Sequence, residues 1–178
     1  YIEGNTDSEV MFALFLSYLE DPLADDIDAD EMIIATRKMA MDIRECQTYF
    51  GIKQLSKLKC FFADKDTLFV ANLGIGPNHQ MDIEDRYEEF VQFPHDSPEK
   101  ALSYLFQPVW TLAGKNFESQ ADFSVETPQN DDDVDCIIVS SEALTENHDN
   151  WDQIRFQEYC YLEYNNGNPY MRKGQFDF

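Results

Sequence analysis

Basic residues are scarce in this 178-residue chain, which carries 13 lysines and arginines against 35 acidic residues. The formal net charge of −22 repels phosphate backbones and anionic membrane surfaces. The sequence therefore predicts neither nucleic acid nor a membrane as a partner. It leaves open whether the acidic surface serves solvation and salt adaptation, or whether it docks on a basic protein.

Long apolar runs are also missing. No stretch approaches the roughly 20 apolar residues that a membrane-spanning helix needs, and residues 1–4 do not resemble a signal peptide. Cysteine is scarce, and the four cysteines form no CxxC pair. We expect all four to be reduced residues of the core in a cytoplasmic protein: Cys46, Cys60, Cys136 and Cys160.

Spacings typical of metal sites are missing as well. None of the three histidines has another ligand at zinc spacing, so we predict no zinc site. Asp26, Asp28 and Asp30 imitate the start of a calcium loop, but Glu31 stands where that loop needs glycine. The acids between positions 131 and 135 could chelate a hard cation, although a hydrated turn is the commoner role. The sequence predicts no metal and no cofactor.

No catalytic centre is visible in the spacing of reactive residues. Ser140, Ser141 and Glu142 follow an apolar strand, but the flanking glycines of a nucleophile elbow are missing. The cysteines lie in contexts that predict burial rather than activation as nucleophiles. Composition and spacing alone therefore predict no catalytic residue.

The patterns that are present predict two helices. Thr6 and Glu9 have capping-box spacing before an apolar run, so a first helix should begin near Ser8 and end at Asp21-Pro22. A second, long helix should close at Gly51. Its apolar stripe has steps of three and four residues: Met32, Thr36, Met39, Ile43, Cys46 and Phe50.

Strand periodicity follows the helices. Residues 58–63 and 67–73 predict a hairpin, residues 74–78 a turn, and residues 81–99 a long excursion. Further strands are predicted at 102–106, 109–113, 136–140, 158–164 and 169–176. Two helices followed by antiparallel strands, without βαβ alternation, indicate an α+β fold. We expect a single domain that spans residues 1–178.

Two segments resemble a known family. The run from Gly4 to Glu9, G-N-T-D-S-E before an apolar helix, resembles the TDSE or TDTE element of class II glutamine amidotransferases. The run from Val139 to Glu146, followed by Trp151, is similar to the V-A-S-E-P-L-T segment of the stand-alone branch, which includes γ-glutamyl hydrolases. Both segments occur in family order, although Ala143 replaces the proline. An arginine often found on the second hairpin strand is also absent.

The resemblance implies a fold and a binding site. The fold is the four-layer αββα sandwich of N-terminal nucleophile hydrolases, of which this chain would supply the C-terminal part. Asp7, with Thr6, would bind the α-ammonium of glutamine or a γ-glutamyl compound through a charge-assisted hydrogen bond. The alternative is that Thr6, Asp7 and Glu9 only cap a helix.

The family's catalytic groups cannot be placed on this chain, which begins at Tyr1. The family uses an N-terminal cysteine, a substrate-binding arginine and an Asn-Gly oxyanion element, all before the TDSE segment. One hypothesis is that a missing N-terminal half, from the same gene or another chain, completes a γ-glutamyl amide hydrolase. A second is a non-catalytic subunit with a structural role in a larger protein complex. A third is a sensor that binds an amino acid at Asp7 without turnover.

Overall fold

The computed structural model describes residues 4, 6–76, 107–118, 124–128, 133–145, 148–165 and 168–177. Helix α1 is Asp7–Leu16 and helix α2 is Ala29–Tyr49. The strands are β1 Ser56–Ala63, β2 Thr67–Ile75, β3 Val109–Glu118, β4 Ser124–Glu126, β5 Cys136–Ser140, β6 Asp152–Ile154, β7 Glu158–Asn165 and β8 Asn168–Gln175. Two helices followed by antiparallel strands confirm the α+β prediction. None of the helices among the described residues is long and apolar enough to cross a membrane.

The described residues group into two compact units, and the first contains both helices. It comprises the described parts of Tyr1–Lys57, Gly74–Leu102 and Phe176–Phe178. Helix α1 begins one residue before the predicted start but ends at Leu16, short of the predicted end. The reason is local, because Tyr18 and Leu19 donate their N–H groups three residues back and so tighten the chain into turns.

Helix α2 ends at the predicted glycine. Gly51 has a φ of +65°, and its N–H donates to the Thr48 carbonyl, while the Ile52 N–H donates to the Gln47 carbonyl at 2.8 Å. These two bonds form a Schellman motif, in which glycine adopts the left-handed conformation without a steric penalty from Cβ. The closure at Gly51 was therefore predictable from sequence.

The covered face of α2 follows the predicted stripe only in its first half. Met32, Thr36 and Met39 are buried, but towards the C-terminus the buried residues are Arg44 and Gln47. Gln47 donates to the Gln54 and Ile75 carbonyls and to the Ser56 hydroxyl, and Arg44 donates to the Gly76 carbonyl. These hydrogen bonds determine which side of α2 is buried near its C-terminus. The prediction that the stripe continues through two further residues was wrong, since both are exposed: Cys46 and Phe50.

The second unit, Leu58–Leu73 with Ser103–Gln175 in their described parts, contains two antiparallel sheets. One has the strand order β1-β2-β7-β8, and the other has the order β4-β3-β5 with β6 also paired to β3. Residues of both sheets form one apolar core, to which Leu68, Ile137, Val139 and Met171 add partly buried contacts. Its buried members are Val70, Val109, Ile154, Cys160 and Leu162.

Most predicted strands are confirmed. The hairpin β1–β2 and strands β3, β5, β7 and β8 lie where periodicity placed them, with bounds shifted by a few residues. The short strands β4 and β6 were not predicted. Gly74 and Ile75 were expected in a turn but extend β2, where both are buried. The predictions for 81–99 and 102–106 lie outside the described residues, and the single-domain prediction stays a prediction.

Candidate functional site

The TDSE-like segment forms the N-terminus of α1. Thr6 is the N-cap, and its hydroxyl accepts the Glu9 N–H at 3.3 Å. The Glu9 carboxylate reaches back and accepts the Gly4 N–H at 2.8 Å. A Cβ at Gly4 would lie 2.1 Å from Glu9 Oε2, so the glycine makes room for this carboxylate. The pattern is a variant of the capping box, in which the acidic side chain binds Gly4 instead of the N-cap residue itself.

Asp7 is the first residue of α1, and its side chain is exposed. Its Oδ1 accepts the Ser8 N–H at 2.8 Å and the Ser8 hydroxyl at 3.4 Å. Among the described residues, Oδ2 has no partner. A carboxylate held by one oxygen at a helix N-terminus is electrostatically favoured, and the other oxygen can accept a hydrogen bond from an ammonium group.

The second family-like segment follows β5. The Ser140 hydroxyl accepts the Glu142 N–H at 3.4 Å, which makes a tight polar turn at the strand end. Further along, the Trp151 indole N–H donates to the Thr145 hydroxyl at 2.9 Å, and Trp151 is 6% exposed. The fold thus brings Thr145 and Trp151 together inside the second unit, a contact that the sequence did not predict.

An aromatic pair lies beside this segment. The ring centroids of Trp110 and His148 are 5.4 Å apart, at an interplanar angle of 54°. The backbone carbonyl of His148 also accepts the backbone N–H of Trp151 at 3.0 Å. Trp110 lies opposite Ser140 and Gln153 in the sheet. No periodicity in the sequence links Trp110 to His148, because the contact depends on how β3 pairs with its neighbours. The sequence therefore did not predict this pair.

The cysteines differ from one another in exposure. All four are free, and Cys160 is buried as expected, but Cys46 on α2 is exposed, so its assignment to the core was wrong. Burial raises the pKa of Cys60 to about 11 and that of Cys160 to about 12. Burial and the neighbouring Asp135 carboxylate also raise the pKa of Cys136. These three thiols are protonated near neutral pH and are not activated nucleophiles.

The acidic groups that imitate metal sites have structural partners. Asp28 is the N-cap of α2 and accepts the Asp30 N–H at 2.7 Å. Asp133 lies 3.4 Å from Lys115, while Asp135 accepts the Asn116 N–H at 3.1 Å. Within the described ranges, no group of three or more His, Cys, Asp and Glu side chains could hold a metal ion.

The two predicted site residues, Thr6 and Asp7, lie together at the start of α1, whereas Thr145 and Trp151 belong to the other compact unit. One further cation was missed by sequence reasoning. Arg44 is buried on α2, and its burial lowers the pKa of the guanidinium.

Comparison of the chain with protein-family models, with curated proteins and with solved structures gave no match.

Proposed function

We propose that this chain belongs to a class II glutamine amidotransferase-like protein and binds the α-ammonium of glutamine or a γ-glutamyl compound at Asp7. The observation that carries the proposal is the exposed Asp7 carboxylate at the N-terminus of α1, fixed through Oδ1 by Ser8. A fixed anion selects substrates that have a free α-amino group, because the ammonium supplies both charge and hydrogen-bond donors.

Thr6 supports the same site from the N-cap position. Its oxygen already accepts the Glu9 N–H, so the hydroxyl hydrogen is the group that Thr6 has left to donate. A donor beside the Asp7 carboxylate suits a ligand that carries both an ammonium group and a carboxylate. Thr6 is therefore proposed as a secondary contact of the substrate.

The proposal assigns the nucleophile to an N-terminal cysteine outside these 178 residues. The raised pKa values of Cys60, Cys136 and Cys160 argue against these thiols as nucleophiles. Membership in this family implies a four-layer αββα sandwich. This chain would supply part of the sandwich, and a partner segment would complete it. The free thiols suit a cytoplasmic protein.

Isothermal titration tests the binding site. Glutamine should bind the wild-type chain, together with everything that copurifies with it, and Asp7→Asn should weaken binding by about tenfold or more. N-acetylglutamine, which lacks the ammonium group, should not bind. Asp30→Asn is the matched control, because Asp30 also lies in the first turn of a helix. If Asp7→Asn binds glutamine as tightly as the wild type does, the role of Asp7 is only to cap the helix.

The second candidate is a non-catalytic subunit with a structural role in a larger complex. The observation in its favour is that both helices expose apolar side chains, with Val10 and Phe12 of α1 and Ile34 of α2 each about half exposed. Intact mass and N-terminal sequencing of the native protein separate the two candidates. A companion segment that begins with cysteine, together with glutaminase activity, supports the enzyme. A companion without that cysteine supports the structural role.

A further inference from the structure

Lys59 of β1 is a partly buried lysine whose ammonium group has no acidic partner. Its Nζ donates a hydrogen bond of 3.2 Å to the backbone carbonyl of Pro108, the residue just before β3. Within the described part of the chain this carbonyl is its sole hydrogen-bond acceptor, and no carboxylate forms an ion pair with it. In a chain with 35 acidic residues, Lys59 is thus held by a neutral group.

Other lysines have neighbours that favour the charged ammonium form. Three form ion pairs with aspartates and one lies over an aromatic ring: Lys65, Lys115, Lys173 and Lys38. At Lys59 a neutral carbonyl takes the place of the carboxylate, and burial lowers the pKa of the amine. A larger share of the Lys59 amine is therefore in the neutral, nucleophilic form at a given pH.

An exposed phenyl ring projects from the same side of the strand. Phe61 lies two residues after Lys59, so both side chains belong to one face of β1. Phe61 is 46% exposed, which leaves apolar surface in contact with water on that face. A short acyl chain on the Lys59 nitrogen would cover part of this ring, and the contact would remove apolar area of both groups from water.

We propose that Lys59 is a modification site, at which an acyl thioester transfers its acyl group to Nζ and the acyl chain packs on Phe61. The neutral amine attacks the thioester carbonyl carbon, and a C–N bond replaces the C–S bond. The thiolate leaves with the electron pair and takes up the proton that nitrogen releases. The product amide keeps one N–H, which can still donate to the Pro108 carbonyl, and no ion pair is lost with the charge. This proposal is independent of ligand binding at Asp7.

Acylation of the native full chain with S-acetyl-N-acetylcysteamine, a small acetyl thioester, tests the proposal. The protein is then unfolded, its remaining amines are labelled with deuterated acetic anhydride, and peptide mass spectrometry gives the reacted fraction of each lysine. Lys53 is the matched control, because it is exposed and has no partner among the described residues. At pH 7.5 Lys59 should react about threefold faster than Lys53, since a lower pKa raises the neutral fraction more than it weakens the nucleophile.

The pH dependence separates nucleophilicity from access to the amine. The ratio of the Lys59 rate to the Lys53 rate should fall about twofold or more from pH 7.5 to pH 10, because both amines approach the neutral form there. A difference in access alone would leave this ratio unchanged. In guanidinium, where the fold is lost, the two lysines should react at equal rates.

A longer acyl chain tests the contact with Phe61. A hexanoyl thioester should prefer Lys59 over Lys53 by a larger factor than the acetyl thioester does, and Phe61→Ser should abolish this additional preference. The proposal is overturned if Lys59 reacts no faster than Lys53 at pH 7.5, if the ratio of rates is the same at both pH values, or if the additional preference of the hexanoyl group persists in Phe61→Ser.

Discussion

The indole nitrogen of Trp151 donates a hydrogen bond of 2.9 Å to the Thr145 hydroxyl, with Trp151 itself buried. Both residues belong to the segment that resembles the stand-alone amidotransferase branch. The bond ties the loop after β5 to the residue just before β6. It gives a structural reason for this pair of residues in the segment, separate from any role in substrate binding.

Thr145→Val should lower the free energy of unfolding by about 1–3 kcal/mol, because the buried indole N–H loses its acceptor. Urea unfolding followed by tryptophan fluorescence measures the change. Thr127→Val is the control, since the Thr127 hydroxyl accepts a hydrogen bond from Asn150 in an exposed position and should matter little. A Thr145→Val variant as stable as the wild type would show that water replaces the lost acceptor.

Lys173 of β8 forms an ion pair with Asp152 of β6 and so links the two sheets. Burial raises the pKa of the Asp152 carboxyl. The Lys173 ammonium, the Gln153 N–H and the charge of Arg155 outweigh burial and hold that pKa below its ordinary 3.8. A carboxyl whose pKa is lowered by folding stabilises the protein above its ordinary pKa, and this contribution is lost as pH falls through the folded value.

Lys173→Met should therefore lower the free energy of unfolding by about 0.5–1 kcal/mol at pH 6, a small effect because the pair is partly exposed. The difference from the wild type should shrink as pH falls below about 4. Urea titrations at several pH values measure it. Lys65→Met is the control at pH 6, because it removes a more exposed ion pair with Asp66 and should change the free energy of unfolding less. A difference that stays constant from pH 6 to pH 3 would contradict the prediction.

Gly174 of β8 lies under the ring of Tyr159 on β7. A Cβ at this position would come within 2.4 Å of the ring atom Cζ, and the same ring stacks on Phe69 at 5.8 Å. Gly174→Ala should push the ring away and lower the free energy of unfolding by about 1–3 kcal/mol. In a Tyr159→Ala background the same substitution should cost far less, so a double-mutant cycle checks the contact. Equal costs in both backgrounds would exclude it.

The cysteines should react in an order set by their burial. Cys46 is exposed, whereas Cys160 is buried with a pKa raised to about 12. At pH 8 a short pulse of iodoacetamide should label Cys46 first and Cys160 last, because the thiolate is the reacting form. Peptide mass spectrometry gives the labelled fraction, and the protein unfolded in guanidinium provides the reference. Comparable labelling of both residues in the native protein would contradict the burial of Cys160.

Interactions between residues close together in the sequence were sufficient to predict where several helices and turns begin and end. Thr6 and Glu9 fixed the start of α1, Gly51 fixed the end of α2, and the Asp64 carboxylate accepts the Asp66 and Thr67 N–H groups in the predicted hairpin turn. Each of these interactions joins residues within a few positions, so the pattern that predicts it is contiguous in the sequence.

Tertiary structure alone decided the relationships between distant residues. The covered side of α2 near Cys46 depends on Arg44 and Gln47 meeting the end of β2, and strand β6 exists because it pairs with β3. The Lys173–Asp152 ion pair likewise needs strands β8 and β6, which lie apart in the sequence, to meet. Such contacts depend on strand pairing and packing over long sequence separations, for which the periodicity of one segment carries no information.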